Sequence, residues 1–255
     1  MTPHRILCPI DFTLASEQTM RIAARLSAEW QQELVVAYAC YLPRSAFAGI
    51  ARLPADMMRR LLEEDELALV DAAQSAGELG AAAVSSALYS GSPAEEIVEA
   101  LNEDPMFDLV VMSTHGRSGL RRMVMGSITE HVIRHAPCSV LAMRRDTLLD
   151  DSGFRHVLCA LDVSIASRHA LLYASNLVER DIGRITPLRM SESIVEVPVS
   201  ITVREIACAV DRTRTIDLVI LAGDSLPKSR ARLARIATNV LRETSCPVLV
   251  ARARE

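Results

Sequence analysis

Ser113-Thr-His-Gly-Arg-Ser-Gly-Leu-Arg-Arg-Met-Val-Met-Gly-Ser127 is the stretch on which the fold turns. Before it stands Asp108-Leu-Val-Val-Met112, a short apolar run that reads as a strand buried on both faces. After it comes Ile128-Thr-Glu-His-Val-Ile-Arg-His135, whose apolar spacing suits a helix packed on a sheet. Small residues at 113, 116, 119, 126 and 127 therefore fall between the carboxyl end of a strand and the amino end of a helix. In an α/β protein that is where backbone N–H groups can surround a phosphate. Such a loop approaches a ligand closely only where side chains are missing, hence Gly116, Gly119 and Gly126, and Ser127 and Thr129 are expected to offer hydroxyls. A plainer reading is equally open on spacing alone. Ser127-Ile-Thr-Glu130 has the form of a capping box, and Gly126 could simply permit a tight turn.

Outward from this stretch the chain repeats itself. Ile6-Leu-Cys-Pro-Ile-Asp-Phe-Thr-Leu-Ala-Ser16 aligns with Val157-Leu-Cys-Ala-Leu-Asp-Val-Ser-Ile-Ala-Ser167. Phe107-Asp-Leu-Val-Val-Met112 aligns with Ile216-Asp-Leu-Val-Ile-Leu221, and Cys138-Ser-Val140 with Cys246-Pro-Val248. Three blocks in the same order make duplication the economical reading, with domains at 1–146 and 154–255 divided by the polar stretch Arg144 to Gly153. In the first copy, strands are expected near 5–10, 33–40, 83–90, 107–113 and 138–143. Helices are expected near 14–31, 53–78, 93–103 and 127–135. Short apolar strands alternating with helices imply a parallel sheet covered on both faces. Ser92-Pro-Ala-Glu-Glu96 supplies an N-cap, a proline at the first helical position and early acids. The second copy is shorter. Between a strand at 184–190 and an apolar stretch at 194–199 only Ser191-Glu-Ser193 remains, so a covering helix is lost and one sheet face is expected to need cover from elsewhere.

Composition narrows the function. The chain has 255 residues, 50% hydrophobic and 4% aromatic, with a formal net charge of −4. No apolar run approaches the roughly 18 residues of a membrane span, and Met1-Thr-Pro-His-Arg5 runs straight into a strand without room for a leader, so a cytoplasmic protein without membrane partners is expected. Six cysteines form no C-x-x-C pair; Cys8 with Cys159, and Cys138 with Cys246, recur at matching strand positions as small buried hydrophobes. The single lysine, Lys228, follows Pro227, which removes a Walker A loop. His115 has no second histidine or carboxylate at ligand spacing, so no protein metal site is expected. Lys228, Arg230, Arg232 and Arg235 read as a solvated helix face better than as a nucleic-acid surface, given the scarcity of aromatics and the acidic whole. The first 150 residues are net acidic and the remainder net basic, a contrast that could help the halves or a partner to dock.

The loop resembles the nucleotide-binding signature of the universal stress protein family, Gly-x2-Gly-x9-Gly-Ser/Thr, with Ser113 at the first glycine, then Gly116 and the pair Gly126-Ser127. Ile6-Leu-Cys-Pro-Ile-Asp-Phe-Thr13 looks like the family's first strand and its terminal aspartate. The resemblance implies two tandem Rossmann-like α/β domains with parallel five-stranded sheets, of the adenine nucleotide alpha-hydrolase-like kind, the second shortened. It also implies ATP, with Mg²⁺, as the ligand of the first domain. Pro9, Ile10 and Asp11 would line the adenine and ribose side, and Ala39 would offer backbone contacts. Met112, Ser113, His115, Gly116, Gly126, Ser127, Ile128 and Thr129 would hold ribose and phosphates, with Gly119 in the loop and Arg117 within reach. Asp162 stands where Asp11 stands, so the acid can also be read as organising a strand-to-helix turn. In the second copy Ser225 replaces Gly116, and Ala234-Arg235 replace Gly126-Ser127. An arginine at the helix start is expected to block the phosphate position there.

Three functions follow in order. The first is a stress-response regulator binding ATP in its first domain, with the second domain as a pseudo-dimer partner through strands 138–143 and 246–251. An unidentified protein partner and a homodimer of the full chain are compatible with it. The second is a nucleotide-independent interaction scaffold. The third is an adenylating enzyme, ranked last because Asp11-Phe-Thr-Leu-Ala-Ser16 stands where a Ser-Gly-Gly-x-Asp-Ser loop would be needed. No catalytic set is visible, and any ATP hydrolysis is expected to be slow.

Overall fold

The structure is a computed structural model and describes residues 4–40, 55–114, 126–144, 153–161, 165–179, 182–189, 198–222, 227–244 and 246–252. It forms two compact units, residues 1–112 and 113–255.

The first unit alternates β1 (Arg5–Pro9), α1 (Leu14–Trp30), β2 (Glu33–Cys40), α2 (Ala55–Glu78), β3 (Ala83–Ser90), α3 (Pro93–Glu103) and β4 (Phe107–Ser113), whose last residue opens the second unit. Its strands are parallel, in the order β3-β2-β1-β4. The central strands carry the core: Ile6, Leu7, Cys8, Leu34, Val36, Leu109, Val110 and Val111 are fully buried. That is the pattern of a parallel sheet covered on both faces. From β1 the chain runs outward one way to β2 and β3, while β4 lies on the other side of β1. The carboxyl ends of β1 and β4 therefore flank a topological switch point, where open α/β sheets receive ligands. α1 starts at an N-cap, Thr13, and ends at Gln31 in the left-handed region. α3 starts after Ser92 with Pro93 in its first turn, as the sequence predicts, although the serine side chain makes no capping bond.

The second unit holds α4 (Ser127–His135), β5 (Ser139–Met143), β6 (His156–Leu161), α5 (Ile165–Leu177), β7 (Arg184–Arg189), α6 (Val199–Thr213), β8 (Leu218–Ala222), α7 (Pro227–Glu243) and β9 (Val248–Ala251). Its strand order is β5-β9-β8-β6-β7, parallel except for the antiparallel pair β5–β9, in which Val140 faces Val250 and Leu141 faces Leu249. The last helix and strand of the first sequence copy thus fold with the second copy. Between β7 and α6 there are nine residues, 190–198, too few for a counterpart of the 24-residue α2. The consequence is visible on β7: its residues are half-buried or exposed, whereas β2 is almost wholly buried. Pro187 and the arginines at both ends of β7 blunt this open edge. Of the apolar stretch read at 194–199, residues 194–197 lie outside the described residues, and Val199 opens α6. Among the described residues no helix is long and apolar enough to cross a membrane.

Candidate functional site

At the carboxyl end of β1, Pro9 is half-buried and Ile10 is buried, and Ala39, near the carboxyl end of β2, is half-buried. The Ile10 amide donates to the Ala37 carbonyl (2.8 Å), which extends the strand geometry to the lip of the sheet. Asp11 then turns the chain. Its Oδ1 accepts from the Thr13 hydroxyl (2.6 Å), the Thr13 amide (3.3 Å) and the Ser16 hydroxyl, while its own amide donates to Ser16 Oγ (3.0 Å). Phe12, between them, takes a left-handed φ of 57° and rests on Tyr38 with ring centroids 4.7 Å apart. Such a φ is uncommon for a bulky residue and holds only because the turn is fixed from both sides. The aspartate therefore does organise the strand-to-helix turn. Sequence reasoning missed its partners Thr13 and Ser16, although Asp-x-Thr-x-x-Ser carries the signal of a capped turn.

At the carboxyl end of β4, Met112 is buried and Ser113 half-buried. Thr114, which the sequence analysis passed over, is fully buried. Its amide donates to the Met143 carbonyl (2.8 Å), and its carbonyl accepts from the Gly126 amide (2.6 Å). The two ends of the loop are thus tied together. His115, Gly116, Arg117 and Gly119 lie outside the described residues, as do Arg121 and Arg122.

Gly126 is the N-cap of α4, and Ser127 is its first helical residue. The capping box read from Ser127 to Glu130 is therefore absent. Glu130 points along the helix to Arg134 (Oε1 to Nη2, 2.7 Å) instead of back to the helix start. A glycine cap offers no side-chain acceptor. Among the described residues no acceptor meets the amides of Ser127 and Ile128, whose side chains are exposed. A Cβ added at Gly126 would lie 3.3 Å from the Thr114 carbonyl oxygen, a close approach that a small residue suits. Thr129 departs from expectation. It is 3% exposed, and its hydroxyl donates to the Ser113 carbonyl (2.8 Å), bracing the helix against the strand end rather than facing a ligand.

The second copy differs at this place in its backbone as well as its side chains. Ala234 and Arg235, aligned with Gly126 and Ser127, lie in the interior of α7, which begins at Pro227. The expected arginine at a helix start is thus an arginine in mid-helix. Backbone amides in a helix interior are bonded within the helix, so no free amides exist there to hold an anion. Asp162 lies outside the described residues.

The cysteines behave as the repeat suggests. Cys8, Cys138, Cys159 and Cys246 are buried, and burial pushes the thiols of Cys8 and Cys159 up to about 12 and that of Cys246 up to about 11. Among the described residues no three His, Cys, Asp or Glu side chains gather as a metal site.

A family model described as the universal stress protein family matches residues 3–144. A universal stress protein of Methanocaldococcus jannaschii is 33% identical over 146 residues, 55% of this chain and 82% of that protein. Among solved structures, a universal stress protein from Archaeoglobus fulgidus superposes with a TM-score of 0.69 at 18% identity, covering 97% of this chain and 96% of its own. A functionally unknown protein from Pseudomonas aeruginosa does so with a TM-score of 0.60 at 17% identity, covering 99% and 94%.

Proposed function

The chain belongs to the universal stress protein family, and on that premise we propose that its first copy binds ATP as a regulatory ligand. The observation that carries this reading is the start of α4. A glycine N-cap leaves the amides of Ser127 and Ile128 without an acceptor among the described residues, at the end of the loop that resembles the family signature. The positive end of the helix dipole favours an anion at the same point. The donor set therefore fits a phosphate chain. Ser113, Gly126, Ser127, Ile128 and the Thr129 amide are assigned to the phosphates and ribose, with His115, Gly116, Arg117 and Gly119 of the intervening loop. Pro9, Ile10 and Asp11 are assigned to the adenine and ribose side, Ala39 to backbone contacts, and Met112 to the ribose and phosphates. Mg²⁺, where present, would be held by the phosphates. Bound ATP would order one state of the protein for a partner, and no residue is assigned to hydrolysis. Domains at 1–146 and 154–255, joined as a pseudo-dimer through β5 and β9, belong to this reading.

The test is the Ser127→Asp variant. A carboxylate in the first turn complements the helix dipole, adding about 0.3–1 kcal/mol of stability, yet it repels a phosphate. Loss of ATP binding in calorimetry without loss of thermal stability supports the site, and unchanged affinity refutes it. One observation favours the scaffold reading: three donors within its own turn already occupy Asp11 Oδ1. Under that reading the wild type takes no nucleotide.

A further inference from the structure

Two arginines outside these contacts are related by the repeat. Arg144 follows β5 and donates from Nη1 to the carbonyls of Leu241 (2.7 Å) and Thr244 (3.3 Å), at the carboxyl end of α7. Arg252 follows β9 and donates from Nη1 to the carbonyl of Ala136 (2.6 Å) and from Nη2 to that of Ile133, at the carboxyl end of α4. Arg144 and Arg252, Ile133 and Leu241, and Ala136 and Thr244 occupy equivalent positions at one constant offset. Each copy's terminal arginine therefore caps the other copy's last helix across the antiparallel β5–β9 pair. The interaction is well made: carbonyls left over at a helix end meet a cation, and both complement the dipole. Arg252 is 3% exposed and is anchored again through its amide to Ser139 Oγ (3.1 Å). Burial lowers its pKa to about 10, which leaves it charged at neutral pH.

The clamp is symmetric, but its consequences are not. α7 runs through the position where α4 begins, so fixing α7 fixes no exposed helix start. α4 has nine residues, too few to be stable alone, so contacts at its two ends and on its buried face decide its pose. At the amino end the contacts are the Gly126 amide on the Thr114 carbonyl and Thr129 on the Ser113 carbonyl, and at the carboxyl end the contact is Arg252. A short rigid rod released at one end moves at the other. We propose that Arg252, contributed by the second copy, is the positioning residue for the phosphate-facing turn of α4. The inference rests on the ATP reading above. It gives the second copy, which has no helix start of its own at that place, the task of holding the one in the first.

Full-chain Arg252→Met, Arg252→Lys and Arg144→Met test it, by titration with Mg-ATP and by hydrogen exchange of segments 127–135 and 227–243 without nucleotide. Arg252→Met should weaken ATP about tenfold and speed exchange in 127–135. Arg252→Lys keeps the charge but not the fork, and should weaken it only about threefold. Arg144→Met should speed exchange in 227–243 and leave ATP affinity within about twofold of wild type. Wild-type affinity in Arg252→Met overturns the inference, as does an equal loss in Arg252→Met and Arg144→Met. If Arg252→Met does not fold, Arg252→Lys against Arg144→Met decides by the same comparison. If the wild type takes no ATP, the nucleotide reading falls by itself. Exchange then decides: selective acceleration of 127–135 in the Arg252 variants upholds the positioning of α4, and its absence overturns that too.

Discussion

His156 sits buried at the start of β6, with Nδ1 2.8 Å from Thr215 Oγ1 and Nε2 2.7 Å from Thr186 Oγ1. Burial, and then the charge of Arg184, lower its pKa below the ordinary 6.5, while Asp217 opposes them. The unfolded chain therefore binds this proton more readily than the folded one. The contribution is fully present above the unfolded value and is lost as pH falls through about 6.5 toward the folded value. Thermal midpoints should drop as pH falls below about 6.5, and His156→Gln should flatten that part of the profile. An identical slope in the variant would contradict the assignment. The cysteines give a second test at this scale. Cys208 is exposed and the other five are buried, so a thiol reagent should modify one cysteine quickly in the native protein and the rest only on unfolding.

Among the elements, α4 carries the argument. The bond from Thr129 Oγ1 to the Ser113 carbonyl joins its first turn to the end of β4. Thr129→Val keeps the shape and removes that hydrogen bond, which should cost about 0.5–1.5 kcal/mol in chemical denaturation. A variant as stable as the wild type would show that the brace is idle. Much of this was legible: the strand at 107–113 and the helix at 127–135 fall where the apolar spacing put them. Which residue caps α4 was not legible, because Gly126 and Ser127 both satisfy local rules and the Gly126 amide finds its partner, the Thr114 carbonyl, on the far side of the loop. The extent of α7 was hidden for a related reason. Alignment with the first copy suggested a helix starting near Arg235, but nothing in Pro227 to Ala234 breaks a helix, and it begins two turns earlier. Asp11 was legible as a residue and ambiguous in role, since turn and ligand call for the same carboxylate.

For the whole molecule, the alternation of strands and helices was sufficient to predict a parallel α/β fold. The division into compact units at 112 and 113 was not visible. It depends on β5 pairing with β9, a contact over more than a hundred residues that the family resemblance led one to expect and no local pattern encodes. That pairing buries Val140, Leu141, Leu249 and Val250 completely. A chain ending at Asp146 would expose β5 as an apolar edge, so light scattering should find it self-associated; a stable monomer would show that β9 is not needed to cover β5. Leu249→Ala in the full chain should cost about 2–5 kcal/mol. The measurement that bears most directly on the function is the stoichiometry of Mg-ATP binding to the full chain by calorimetry. A single site, about one nucleotide per chain, is predicted, because one copy presents a glycine-capped helix start and the other runs a helix through that position. Two nucleotides per chain would contradict the asymmetry between the copies, and none at millimolar ATP would leave a scaffold that no nucleotide regulates.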